Sequence, residues 1–192
     1  MTTVTTARHP APGVRTETAA YALGLGTVLF LLLRPVFAAR GNAPLAAGYL
    51  AIGAASVAML RGSARPATVS RRVLVPLAVG TLAVIVARLV AGPAPALPVG
   101  VGIVVLNVGA AVAEEAFFRG FLFARLEPWG VGVAVVTSAA AFALLHVPLY
   151  GMAAFPVDLG AGLLLSWQRA ASGTWTVPAA THAVANVLAV LR

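Results

Sequence analysis

Lysine and cysteine are both missing from this 192-residue chain, and acidic side chains are scarce: five Asp and Glu stand against thirteen basic residues, every one an arginine. Without cysteine there are no disulfides and no thiolate metal ligands. Charged residues make up only 9% of the chain, where a soluble domain carries about a quarter. At 60% hydrophobic and a mean hydropathy of +0.96, the chain cannot cover itself with polar surface, so its solvent must be lipid. A net charge of +8 can signal nucleic acid. Here the arginines flank apolar runs and read as topology signals instead, so no nucleic-acid partner is expected.

Residues 1–18 are polar and contain Arg8, Pro10, Pro12 and Arg15, which reads as a cytoplasmic tail; His9 within it is given no role. The apolar run that follows is interrupted by Arg34 and succeeded by further runs, which favours a retained helix over a cleaved signal peptide. A span needs about 20 apolar residues, and seven segments qualify: 19–38, 43–60, 73–91, 98–126, 131–150, 156–169 and 174–191. The expected fold is all-α, a polytopic membrane helix bundle of about seven transmembrane helices over residues 19–192. Arg61, Arg65, Arg71 and Arg72 crowd the second connection and mark it as cytoplasmic. Alternation then places the N-terminus, Arg125 and Arg169 inside. The C-terminus and the uncharged connections at Gly92-Pro93-Ala94-Pro95 and Pro148-Leu149-Tyr150-Gly151 fall outside. Arg34, Arg40, Arg88 and Arg192 run against that pattern; Arg34 and Arg88 are expected to snorkel from helix ends. The Ala- and Arg-rich, lysine-free composition fits a GC-rich bacterial genome, hence a bacterial plasma membrane.

Against this background the run Val112-Ala113-Glu114-Glu115-Ala116-Phe117-Phe118-Arg119 stands out. An ionisable group at membrane depth must find a partner or stay neutral, which makes it a functional-site candidate. Adjacent helical residues point about 100° apart, so the two carboxylates serve different faces. Arg119 lies four residues after Glu115 and pairs with it in a supporting role. Glu114 has no partner at helical spacing, which leaves it as the expected general base. Asn107 shares its face seven residues earlier. The turn Glu127-Pro128-Trp129-Gly130 joins the fourth and fifth segments. Glu114 lies about 13 residues before that turn and His146 about 16 after it, so the two sit at similar depth on antiparallel neighbours. Ala139, Ala140, Ala141 and Ala143 would let those helices approach closely. Phe142 would pack beneath the His146 ring. His182 and Asn186, spaced i, i+4, share one face of the last segment at a comparable depth. Taken singly, a membrane histidine bonded to a backbone carbonyl, or an asparagine gluing helices, is unremarkable. Asp158, Glu17 and Glu127 are read as interfacial. It is the combination that points to a site.

These residues resemble the three motifs of the CPBP family, the Abi or type II CAAX prenyl endopeptidase family of intramembrane proteases. The motifs are Glu114-Glu115-x-x-x-Arg119, Phe142-x-x-x-His146 and His182-x-x-x-Asn186. Phe118-Arg119-Gly120-Phe121-Leu122 and Thr174-Trp175-Thr176-Val177-Pro178 flank them. The likeness covers a catalytic core of roughly residues 98–190. It implies an intramembrane peptidase in which Glu114 and His146 activate a water, while His182 and Asn186 stabilise the oxyanion. Glu115 and Arg119 take support. The implied partners are a peptide or membrane-protein substrate and the bilayer, with CAAX-type processing, bacteriocin immunity or peptide maturation as contexts. Glu114, His146 and His182 would be the ligands of a zinc or other divalent ion if one is used. With no His-Glu-x-x-His motif and with asparagine a poor zinc ligand, the preferred reading has no metal cofactor. A non-catalytic membrane binding or immunity protein on the same scaffold is the alternative. A proton-coupled transporter would call for matching halves with broken helices, and the sequence has no such symmetry.

Overall fold

The structure, a computed structural model, describes residues 14–60, 70–92 and 100–190. The chain forms α1 (Val14–Ala38), α2 (Asn42–Leu60), α3 (Arg71–Val90) and α4 (Val101–Glu115). α4 runs without a break through a π-helical turn, Ala116–Leu122, into the short α5 (Phe123–Leu126). α6 (Val131–Tyr150), α7 (Phe155–Ser172) and α8 (Thr176–Val190) follow. No strand occurs among the described residues. Counting α4 to α5 as one rod, the seven expected segments are all helices, and the fold is an all-α bundle.

Among the described residues, five helices are long and apolar enough to cross a membrane: Glu17–Ala38, Asn42–Leu60, Arg71–Val90, Val101–Trp129 and Val131–Tyr150. α8 is a shorter apolar helix of 15 residues, and α7 carries Asp158 and Arg169. The ends differ from expectation in physically simple ways. α1 starts at Val14 rather than at residue 19, because a helix does not stop where its residues turn polar. α7 extends to Ser172, three residues past its apolar run. Arg8, His9, Arg61, Arg65, Arg192 and the Pro93-Ala94-Pro95 connection, which carried much of the orientation argument, lie outside the described residues.

Two antiparallel pairs position the site. α4 lies between α2 and α8, and α6 packs along α7 while also touching α1. The core between them is aromatic: Phe117, Phe118, Phe121 and Phe142 are buried together with Leu31, Tyr49, Ile52 and Ala113. The alanine face of α6 was expected to bring it against the fourth segment. α6 does meet that rod, along the π-helical turn and α5, and it also receives α7: a Cβ added at Gly162 would lie 3.0 Å from the Ala139 carbonyl oxygen. Small residues on both sides permit that approach, and dispersion contacts drive it where lipid offers no hydrophobic gain.

Candidate active site

Glu114 is the penultimate residue of α4 and is 4% exposed. Its Oε1 accepts from Arg34 Nη1 at 2.7 Å and from the Tyr49 hydroxyl at 3.3 Å. No cation stands at helical spacing from Glu114, as expected, but Arg34 supplies one from another helix, and the snorkelling expected of Arg34 is overturned. Arg34 is 3% exposed on α1. Its guanidinium fork also donates through Nη2 to the Leu145 carbonyl at 2.9 Å and through Nε to the Leu31 carbonyl at 3.2 Å. The reason is energetic: an isolated charge in an apolar bundle is so costly that two opposite charges will pair across the fold.

The second oxygen, Oε2, faces His146 Nε2 at 3.6 Å. That is too long for a direct hydrogen bond and suits a bridging water. His146 Nδ1 lies 2.8 Å from the Phe142 carbonyl. A carbonyl only accepts, so Nδ1 carries the proton and Nε2 of the neutral ring offers a lone pair toward Glu114. The expected depth match between α4 and α6 holds. Phe142 packs against the His146 ring with centroids 4.2 Å apart, as expected, and meets His182 edge-on at 5.6 Å. It also lies under the Arg119 guanidinium at 4.6 Å. One phenylalanine thus spaces both histidines.

Glu115 is fully buried. Its Oε1 accepts from Arg119 Nη1 at 2.7 Å and from His182 Nδ1 at 2.9 Å. Arg119 donates onward to the Gly162 carbonyl at 3.0 Å. The i, i+4 pair read from sequence is present, and it does more than brace α4, because the same carboxylate orients His182. Asn186 donates its amide to the Asn107 carbonyl at 3.0 Å, and the Asn107 side chain turns to the Ile103 carbonyl at 2.9 Å. Glu114, His146, His182, Asn186 and Asn107 all line one cavity of about 160 Å³, together with Arg34, Tyr49 and Tyr150.

A model of the type II CAAX prenyl endopeptidase Rce1-like family matches residues 96–188. That segment is similar to an Rce1-like domain. The family is one of proteases, and with the apolar helices it points to an integral membrane protein. Neither a curated protein nor a solved structure matches the chain.

The Rce1-like segment holds Glu114, His146, His182 and Asn186, but α1 and α2, which supply Arg34 and Tyr49, lie before it. Sequence reasoning missed both of those residues. A signal for Arg34 existed: it interrupts an apolar run as Glu114 does, and two opposite charges in apolar runs need each other. It also missed the π-helical turn, whose carbonyls take side-chain donors from two neighbours. Ser138 Oγ on α6 donates to Phe118 O, and Arg169 Nε on α7 donates to Arg119 O, each at 2.9 Å. Such turns recur at functional sites, and this one directly follows the two glutamates. As for a metal, Glu114 Oε1 is held by Arg34 and Tyr49, and Glu115 Oε1 by Arg119 and His182. No three His, Asp or Glu side chains gather around a common point among the described residues.

Proposed function

We propose that the chain is an intramembrane endopeptidase that hydrolyses a peptide bond with a water held between Glu114 and His146. The observation that carries the reading is the 3.6 Å gap between Glu114 Oε2 and His146 Nε2 in a cavity that also holds His182 and Asn186. A water within about 2.8 Å of both atoms fits off the line joining them. Glu114 Oε2 takes one of its protons, while the other O–H donates a hydrogen bond to His146 Nε2, which aims the oxygen. The oxygen adds to the scissile carbonyl carbon. The oxyanion that forms is met by the free amide N–H of Asn186 and by His182 Nε2, which donates when the ring is an imidazolium held on Glu115. As the carbon–nitrogen bond breaks, the leaving amine takes back the proton from Glu114.

Substrate reaches this water from the bilayer. An apolar groove of about 630 Å³ runs between α2 and α4, lined by small residues such as Ala46, Gly53, Gly102 and Gly109. It shares Tyr49 and Leu106 with the catalytic cavity. An apolar segment or lipid-modified residue of a substrate fits it, in keeping with CAAX-type processing or peptide maturation.

The test is cleavage of a quenched-fluorescence peptide library by the purified protein in liposomes, with and without a strong chelator. Glu114→Ala and His146→Ala are each expected to lower kcat about 10²–10⁴-fold, with the wild type unaffected by chelator. Loss of wild-type activity under chelator, restored by zinc, would replace this mechanism with a metal-dependent one. Full activity in Glu114→Ala would end the reading.

A further inference from the structure

We infer that Arg34 and Tyr49, contributed by α1 and α2 from outside the Rce1-like segment, are positioning residues for the catalytic carboxylate. Together they fix which oxygen of Glu114 does the chemistry. The inference rests on the peptidase reading above. Arg34 Nη1 and the Tyr49 hydroxyl both converge on Oε1 and on each other, at 2.7, 3.3 and 3.3 Å. Only Oε2 is left toward His146. A carboxylate free to spin about its last bond would present either oxygen; one pinned by two donors presents the same one at every turnover.

The fork does a second job. Through Nη2 it holds the Leu145 carbonyl, one residue before His146. A single guanidinium therefore sets both members of the water-binding pair, Glu114 by its side chain and His146 by its backbone. A lysine has one compact ammonium and cannot span both acceptors in this planar way. Tyr49 acts differently: its hydroxyl accepts from Arg34 and donates to Glu114, relaying orientation without charge.

The charged and titratable groups that act on Glu114 come from several elements: Arg34 on α1, Tyr49 on α2, Arg119 on the π-helical turn, His146 and Tyr150 on α6, Asp158 on α7 and His182 on α8. Of the two arginines among them, Arg119 is hydrogen-bonded to Glu115, and Arg34 is the one bonded directly to Glu114. Replacing it with a neutral residue leaves a buried carboxylate without its counter-charge, which favours the protonated form. A protonated Glu114 cannot act as base.

The experiment compares wild type, Arg34→Gln, Arg34→Lys and Tyr49→Phe in liposomes. It reads the pH profile of peptide cleavage and, on the same samples, the pH at which a protonated-carboxyl infrared band appears; Arg34→Gln/Glu114→Gln assigns that band. In Arg34→Gln, kcat at neutral pH is expected to fall about 10–100-fold. The acid limb of the profile and the infrared band should move together to higher pH. Arg34→Lys should keep the wild-type limb with a lowered kcat. Tyr49→Phe, which keeps the ring, should lower kcat several-fold with little change in KM. A fall in activity with limb and band both unmoved in Arg34→Gln would mean a purely structural arginine and would overturn the inference. If wild type fails to cleave any peptide, the peptidase reading falls, while the infrared titration still decides whether Arg34 governs Glu114.

Discussion

At the scale of single residues the site is two carboxylates with two arginines, one pair on each side of α4. Arg119 is fully buried, as is Glu115. Breaking such a pair strands a charge and costs about 3–5 kcal/mol, whereas replacing both partners is far milder. Arg119→Leu should accordingly lower the thermal midpoint in detergent steeply, and Glu115→Leu/Arg119→Leu should melt above Arg119→Leu alone. Strict additivity in that double-mutant cycle would count against the pairing as an energetic unit. The double variant should still be inactive, because His182 loses the acceptor that orients it. The motif residues were legible in the sequence because their spacing on individual helices is local. Arg34 was visible as a charge in an apolar run, but its pairing was not, since its partner lies eighty residues away and no periodicity connects them.

At the scale of elements, helix positions followed directly from apolar run length, because each span must satisfy its own backbone in lipid. What the 3.6-residue period hid was the π-helical turn and the way neighbouring helices brace it. Ser138→Ala removes one brace and should cost about 1 kcal/mol, read as a lower melting temperature, with a loss of kcat larger than that of KM. A second brace joins three helices. Gln168 on α7 is fully buried and donates to the Pro76 carbonyl of α3 at 2.7 Å and to Thr181 of α8 at 2.8 Å, next to His182. Gly80 leaves the space for it: a Cβ there would collide with the Gln168 amide. Gly80→Ala should destabilise by about 1–3 kcal/mol. An unchanged melting curve would show that the amide can move aside.

At the scale of the whole molecule, the bundle places an apolar groove beside a polar cavity with only Tyr49 and Leu106 common to both. Gly109 lines the groove, and a Cβ there would meet nothing within 4 Å. Gly109→Leu should therefore fold normally and fill the groove. For peptides with a long apolar or lipid-modified side it should raise KM about tenfold or more, the cost of about 1.4 kcal/mol of lost binding, while kcat holds. An equal KM for such peptides in both proteins would place substrate entry elsewhere. The all-α class and the membrane setting were legible from composition alone. The groove was not, because it depends on which helices end up adjacent.

The eighty residues between Arg34 and Glu114 also set an order of events during synthesis. α1 leaves the ribosome first and enters the bilayer carrying a guanidinium that has no counter-charge until α4 arrives. A lone arginine costs about 2.5–3.5 kcal/mol to insert at mid-helix and less at Arg34, four residues before α1 ends at Ala38, yet α1 still carries an unpaired charge while it waits. The protein passes through a period in which a cation that is buried in the finished fold is its weakest point, and a nascent chain halted before α4 has no partner for it. Arg34→Leu should insert α1 more efficiently from such a halted chain than the native sequence does, even though it ruins the finished centre.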